Sequence, residues 1–127
     1  MLAIDTNVLV RFLTGDEPAQ AARALIESQD IFFSATVLLE AEWALRSAYG
    51  LDKAEVIAAL GRLAGLPRLS LDDPARISKA LSRAGQGMDF ADELHLATAA
   101  TSEAFVTVDR RMVKAKVITD GALVRLA

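Results

Sequence analysis

A chain of 127 residues fits one domain, taken as 1–127, and can bury a core without disulfides or a structural metal. It is 53% hydrophobic, has no cysteine and carries a net charge of −3. These values exclude a disulfide scaffold, a thiolate zinc site and a cysteine nucleophile, and they lack the basic footprint of a simple nucleic-acid-binding module. No apolar run reaches the roughly 20 residues that cross a bilayer. The N-terminus shows no basic stretch followed by an apolar one, so no secretory signal is expected and the expected compartment is the cytoplasm.

In chain order, short apolar runs alternate with helical patterns. Leu2 to Ile4 reads as a strand ending at Asp5. Val8 to Leu13 reads as a short helix stopped by Thr14-Gly15. Asp16 caps a second helix, with Pro18 in its first turn, running to about Gln29. Ile31-Phe32-Phe33 reads as a strand, and Thr36 caps a third helix that ends at Tyr49-Gly50. Asp52 and Glu55 form a capping-box-like pair opening a fourth helix that stops near Gly65-Leu66-Pro67. Leu69 to Leu71 is a short strand, and Asp73-Pro74 opens a fifth helix running to Ala84. After a Gly85-Gln86-Gly87 loop, Asp89 caps a sixth helix from Phe90 to about Thr101. Phe105 to Val108 is the strongest strand pattern, with Asp109 directly after it, then a short helix and a closing strand near Val124 to Leu126. The alternation predicts an α/β domain with a parallel sheet.

Ligands of open parallel sheets bind at the carboxyl ends of the strands. Asp5 and Asp109 fall there, although a turn or helix-capping role would place them equally well. Glu40 shares a helical face with Thr36, Val37, Trp43 and Ala44, while Glu42 is expected on a more polar side. Asp92 shares a face with His95, Leu96 and Ala99. Helix-dipole matching explains Asp89 and Glu93 better than it explains Asp92. A carboxylate on an apolar stripe is costly unless paired or bound to a cation. If the four acids converge, they stay ionised only around a cation, and oxygen-only ligands favour Mg2+ or Mn2+ over zinc. Such a set suits phosphodiester hydrolysis.

Four segments in this order resemble the PIN-domain proteins, and among them the VapC-type toxins of toxin–antitoxin pairs. They are Ile4-Asp5-Thr6-Asn7-Val8-Leu9, Thr36-Val37-Leu38-Leu39-Glu40, Asp89 through Ala97, and Thr107-Val108-Asp109-Arg110. The resemblance implies a parallel sheet of four to five strands sandwiched by helices. It implies Asp5, Glu40 and Asp92 as core catalytic and metal-binding acids, with Asp109 as the fourth. Thr6, Asn7 and Thr107 match supporting polar positions. It further implies a Mg2+- or Mn2+-dependent endoribonuclease acting on tRNA or rRNA. The implied assembly is a homodimer held silent by a small cognate VapB-type antitoxin, through which alone it meets DNA. No membrane role is implied. Glu93 departs from the pattern and is expected outside the pocket, about 100° round the helix from Asp92.

Single-residue alternatives remain. His95, the one histidine, is read as a partly buried helix residue. Trp43 and Phe12 are read as core or interface aromatics. Arg11, Arg110, Arg111 and Lys114 are candidates for RNA phosphates, or for an ordinary solvated face. Ala21-Ala22 with Leu25-Ile26, and Val56 to Leu60, are core stripes first and partner surfaces second. An aspartyl-phosphate enzyme fits less well: Asn7 stands where such a site wants a second Asp, and Arg110-Arg111 follows Asp109 where it wants a lysine. The remaining readings are an RNA-processing PIN nuclease without an antitoxin and a non-catalytic antitoxin-binding co-repressor.

Overall fold

The computed structural model describes residues 1–15, 19–115 and 122–127. In chain order the elements are β1 (Leu2–Ala3), α1 (Thr6–Thr14), α2 (Ala19–Ser28), β2 (Ile31–Phe33), α3 (Ala35–Ser47) and α4 (Lys53–Ala64). Then follow β3 (Leu69–Leu71), α5 (Pro74–Gly85), α6 (Phe90–Thr98), β4 (Ala104–Thr107), α7 (Arg110–Lys114) and β5 (Leu123–Leu126). The α/β alternation expected from the sequence is present, with every expected element in its place. The expected cap at Asp16 and Pro18 lies outside the described residues.

All strand pairings among the described residues are parallel, as the helical crossovers require. The five parallel strands fall into two hydrogen-bonded groups. β1, β2 and β3 make one sheet in that order, and β4 and β5 make another. β1 is two residues long and carries only exposed positions. Its ladder to β2 rests on Leu2↔Ile31 and Ala3↔Phe32.

β2 is the centre of the first sheet. Ile31 and Phe33 are fully buried on one face, and Phe32 is half-buried on the other. Each such side chain taken out of water contributes about 2–3 kcal/mol. Around them pack Leu9 and Val10 of α1, Leu38 and Leu45 of α3, Leu60 of α4, Ile77 of α5 and Phe90 of α6. The β4–β5 ribbon stands apart from this core: Val124 is its one buried residue, while Val106 and Leu123 are about half exposed.

Helix ends show why the breaks fall where they do. Gly15 closes α1 with φ 75°, a left-handed conformation that glycine adopts without strain, and its N–H returns to the Arg11 carbonyl at 3.0 Å. Gly50 has φ 64° beyond α3, and the Leu51 N–H reaches back to the Leu45 carbonyl at 3.1 Å. α3 is capped by Ser34, whose hydroxyl accepts from the Val37 N–H at 3.2 Å, rather than by Thr36. The Asp72 carboxylate, at the end of β3, takes the Ala35 N–H at 3.0 Å. Together they satisfy two donors that the helix itself cannot. Asp52 precedes α4 without a side-chain cap bond, so the Asp52–Glu55 box does not form. Among the described residues, no helix is long and apolar enough to cross a membrane.

Candidate active site

Asp89 opens α6 by accepting the Asp92 N–H at 3.0 Å. This cap orients the first helical turn and sets Asp92 on the flank of α6, half-buried rather than on its inner face. Asp109 follows β4 and opens α7, accepting from the Arg111 N–H at 2.9 Å and the Met112 N–H at 3.4 Å. The Thr107 hydroxyl in turn accepts the Asp109 N–H at 3.0 Å, which fixes the turn out of β4. Thr107 thus braces the backbone of Asp109.

Asp89, Asp92 and Asp109 line one cavity of about 1280 Å³ between α5, α6, α7 and β5. Their proximity is felt electrostatically. The Asp92 carboxyl is raised above its ordinary range, first by burial, then by the negative charges of Asp89 and Asp109. His95 and Arg111 pull the other way and offset part of the shift.

The other two expected acids are exposed. Asp5 is exposed at the start of α1, with its carboxylate accepting the Thr6 N–H at 2.7 Å. Thr6 is buried and Asn7 exposed. Glu40 is exposed on α3. Neither Asp5 nor Glu40 lines the cavity. Asp92 and Asp109 thus share a cavity wall with Asp89, and Asp5 and Glu40 are not among its lining residues.

Two further acids are placed opposite to expectation. Glu42 is buried at 2% exposure within the α3 stripe of Leu38, Ala41 and Leu45. The Arg46 guanidinium forks onto its carboxylate at 2.6 and 3.1 Å, and this partner holds Arg46 above its ordinary pKa. Glu93 is not outside the pocket; it is buried in α6, lines the cavity and meets Arg83 at 3.4 Å. Conversely His95 is exposed, as is Trp43 at 60%. Phe12 is half-buried against the core.

The cavity wall carries cations as well as acids: Lys53, Lys79, Arg83 and Arg111. Only Arg111 was among the arginines and lysines singled out from the sequence. Lys53, Lys79 and Arg83 were missed because α4 and α5 reach the site only through tertiary packing. Four formal positive charges against Asp89, Asp92, Glu93 and Asp109 make a balanced groove on a chain of net charge −3. Such a surface accommodates a polyanion once some of the acids are neutralised by a cation.

The chemistry of the donors fits a hard divalent cation: they are all oxygens, and Asp92 is an acid whose charge is disfavoured by its neighbours. The spacing is looser than a finished site, since among the described residues no three His, Cys, Asp or Glu side chains are grouped closely enough to hold one ion.

Parallel β-ladders joined by helices, with Asp109 just after β4 on the wall of the cavity, define an α/β protein. The PIN-domain family model matches residues 2–118, and the chain belongs to that family, whose members are generally nucleases. No curated protein and no solved structure matches the chain.

Proposed function

We propose that this PIN domain is a Mg2+- or Mn2+-dependent endoribonuclease, the toxin of a type II toxin–antitoxin pair. The observation that carries the reading is Asp92, raised by burial and by Asp89 and Asp109, on the wall of a cavity that also bears four cations. At about 1280 Å³ the cavity exceeds the 300–1,000 Å³ range of small-molecule pockets and suits a polymer. Asp92 and Asp109 would hold the cation, with Asp5 and Glu40 as the proposed remaining acids. When bound, the cation supplies Lewis-acid activation of a water and neutralises charge on the phosphate. The chain's own part is to place the acids, through the Asp89 and Asp109 caps and Thr107, and to present basic side chains to the RNA backbone.

The test is cleavage of tRNA and rRNA by the purified full chain. Activity should require Mg2+ or Mn2+, vanish in EDTA, and drop at least a hundredfold in Asp5→Asn or Asp92→Asn, as the loss of a group essential to catalysis does. Products should carry 5′-phosphates and 3′-hydroxyls, because water rather than the ribose 2′-hydroxyl is the nucleophile. Full activity in EDTA, or 2′,3′-cyclic phosphate ends, would refute the mechanism.

The toxin assignment rests on the order of the four segments described above. An antitoxin would offer an arginine to the acids and an apolar helix to the surface. The apolar groove between α4 and α5, lined by Ile57, Gly61, Ala64, Leu71 and Leu81, is one surface of that kind. Expression alone should arrest growth, and co-expression with an adjacent small gene should relieve it. Harmless expression of the active chain would remove the toxin role while leaving the nuclease standing.

A further inference from the structure

Among the described residues, two arginine–glutamate pairs have a buried carboxylate, and they are built differently. Arg46 and Glu42 form a closed fork within α3, with two bonds at 2.6 and 3.1 Å. Neither residue lines the cavity. Arg83 and Glu93 join α5 to α6 through a single longer contact at 3.4 Å, and both line the cavity.

A guanidinium carries five N–H donors in a planar fork. The Arg83 side chain is only 19% exposed, yet among the described residues no buried side-chain nitrogen or oxygen lacks a partner. The donors that Glu93 does not use therefore reach accessible surface, and Arg83 is one of the residues lining the cavity. Glu93 is itself 8% exposed in its side chain and cannot swing to solvent without unpacking α6. It also stands next in sequence to Asp92. The pair thus fixes one cation, with spare donors, on the wall that carries Asp92.

Two other cations on this wall, Arg111 and Lys53, are less constrained. Arg111 is 94% exposed, and Lys53 donates to the Gly87 carbonyl at a long 3.4 Å. A long, free side chain loses rotamer entropy when it grips a ligand; a packed arginine has already lost it.

We propose that Arg83 binds a backbone phosphate of the nucleic acid in this cavity, and that Glu93 is the positioning residue that holds its guanidinium. The phosphate meets the unused donors of the fork, the geometry that suits arginine over lysine. This inference rests on the nuclease reading of the same cavity.

The test uses the full chain carrying Asp92→Asn, so that a fluorescein-labelled RNA hairpin is bound without being cut. Affinity is measured by anisotropy across a salt series in Mg2+. Arg83→Gln should weaken binding several-fold and reduce the salt slope by about one, the loss of one phosphate contact. Arg83→Lys should restore the slope. Glu93→Gln should weaken binding less, and should add nothing on top of Arg83→Gln. Because Arg83→Gln alone leaves a buried carboxylate unpaired, the double variant Arg83→Gln/Glu93→Gln, neutral on both sides, serves as the folded comparison. If that double variant keeps its melting temperature, and also keeps the affinity and salt slope of the parent, the pair is only a structural tie and the inference is overturned. Arg23→Gln, on α2 and away from the cavity, should leave both unchanged; an equal effect there would also overturn the specific role. RNA bound by none of the proteins, together with no cleavage by the wild type, would overturn the nuclease reading itself.

Discussion

At Asp92, burial and two neighbouring carboxylates act in the same direction, and the sign of their effect on stability can be worked through. The folded-state pKa lies above the ordinary value of 3.8. Between those two values the folded protein holds the proton more tightly than the unfolded chain, so stability falls as pH rises through that window. Above it the full cost of the crowded charge is present. Metal-free Asp92→Asn should therefore melt higher than wild type at neutral pH, and the gap should close as pH falls through the carboxylate range. Thermal melts in EDTA at stepped pH check this; a wild type more stable than the variant at neutral pH would mean that the carboxylate has a stabilising partner. Glu42 makes the contrasting case, because its partner is already supplied. Arg46→Met should cost about 2–3 kcal/mol, less than breaking a fully buried pair, since Arg46 is one-third exposed. Glu42→Leu combined with Arg46→Met should recover most of that loss in denaturant unfolding.

Helix α3 shows what one element takes from its own sequence and what it takes from elsewhere. Its N-terminus uses Ser34, a local cap, and Asp72, which arrives from the end of β3. Ser34→Ala should cost about 1 kcal/mol in chemical unfolding. Thr36→Ala should cost much less, since Thr36 is exposed and its hydroxyl bonds that of Ser34 rather than the helix backbone. Equal losses would contradict the cap. Strands and helices were legible because Ile31-Phe32-Phe33 and Phe105-Val106-Thr107 carry β-branched or aromatic runs, and because Gly15, Gly50 and Asp89 mark helix ends. Which acid faces inward was not legible. α3 and α6 are rich in alanine, which fits an inner or an outer face equally well, so periodicity there cannot choose between Glu40 and Glu42. The deciding feature is the partner. Arg46 lies one turn from Glu42 and was there to be read, whereas Arg83 reaches Glu93 only because α5 packs on α6. The same limit hid Asp72, whose contact with Ala35 spans 37 positions. Asp109 was legible as a strand-end acid and, through the resemblance, as a companion of Asp92; the company of Asp89 was not.

Across the whole molecule, two sheets share one chain without a strand pairing between them among the described residues. The first is held by a core of large side chains; the second rests mainly on its own ladder and Val124. Amides of β4 and β5 should exchange with solvent before those of β2. Asp109 belongs to the lightly held part and Asp92 to the firmly packed one. A cation shared by the two would tie them, so Mn2+ should slow exchange around β4 and α7 and raise the melting temperature progressively with its concentration. Hydrogen exchange followed with and without Mn2+ checks both statements, and protection at β4 that ignores the ion would count against Asp109 as a ligand.

The apolar cluster runs from Ile4 to Leu94. During synthesis from the N-terminus, every residue of that cluster leaves the ribosome before Asp109 does. The chain can condense around its centre while one of its proposed catalytic acids is still inside the ribosome, so a nascent chain is folded before it is armed. Premature termination beyond Leu94 but before Asp109 would then release a compact protein that retains the α4–α5 groove and lacks the full acid set.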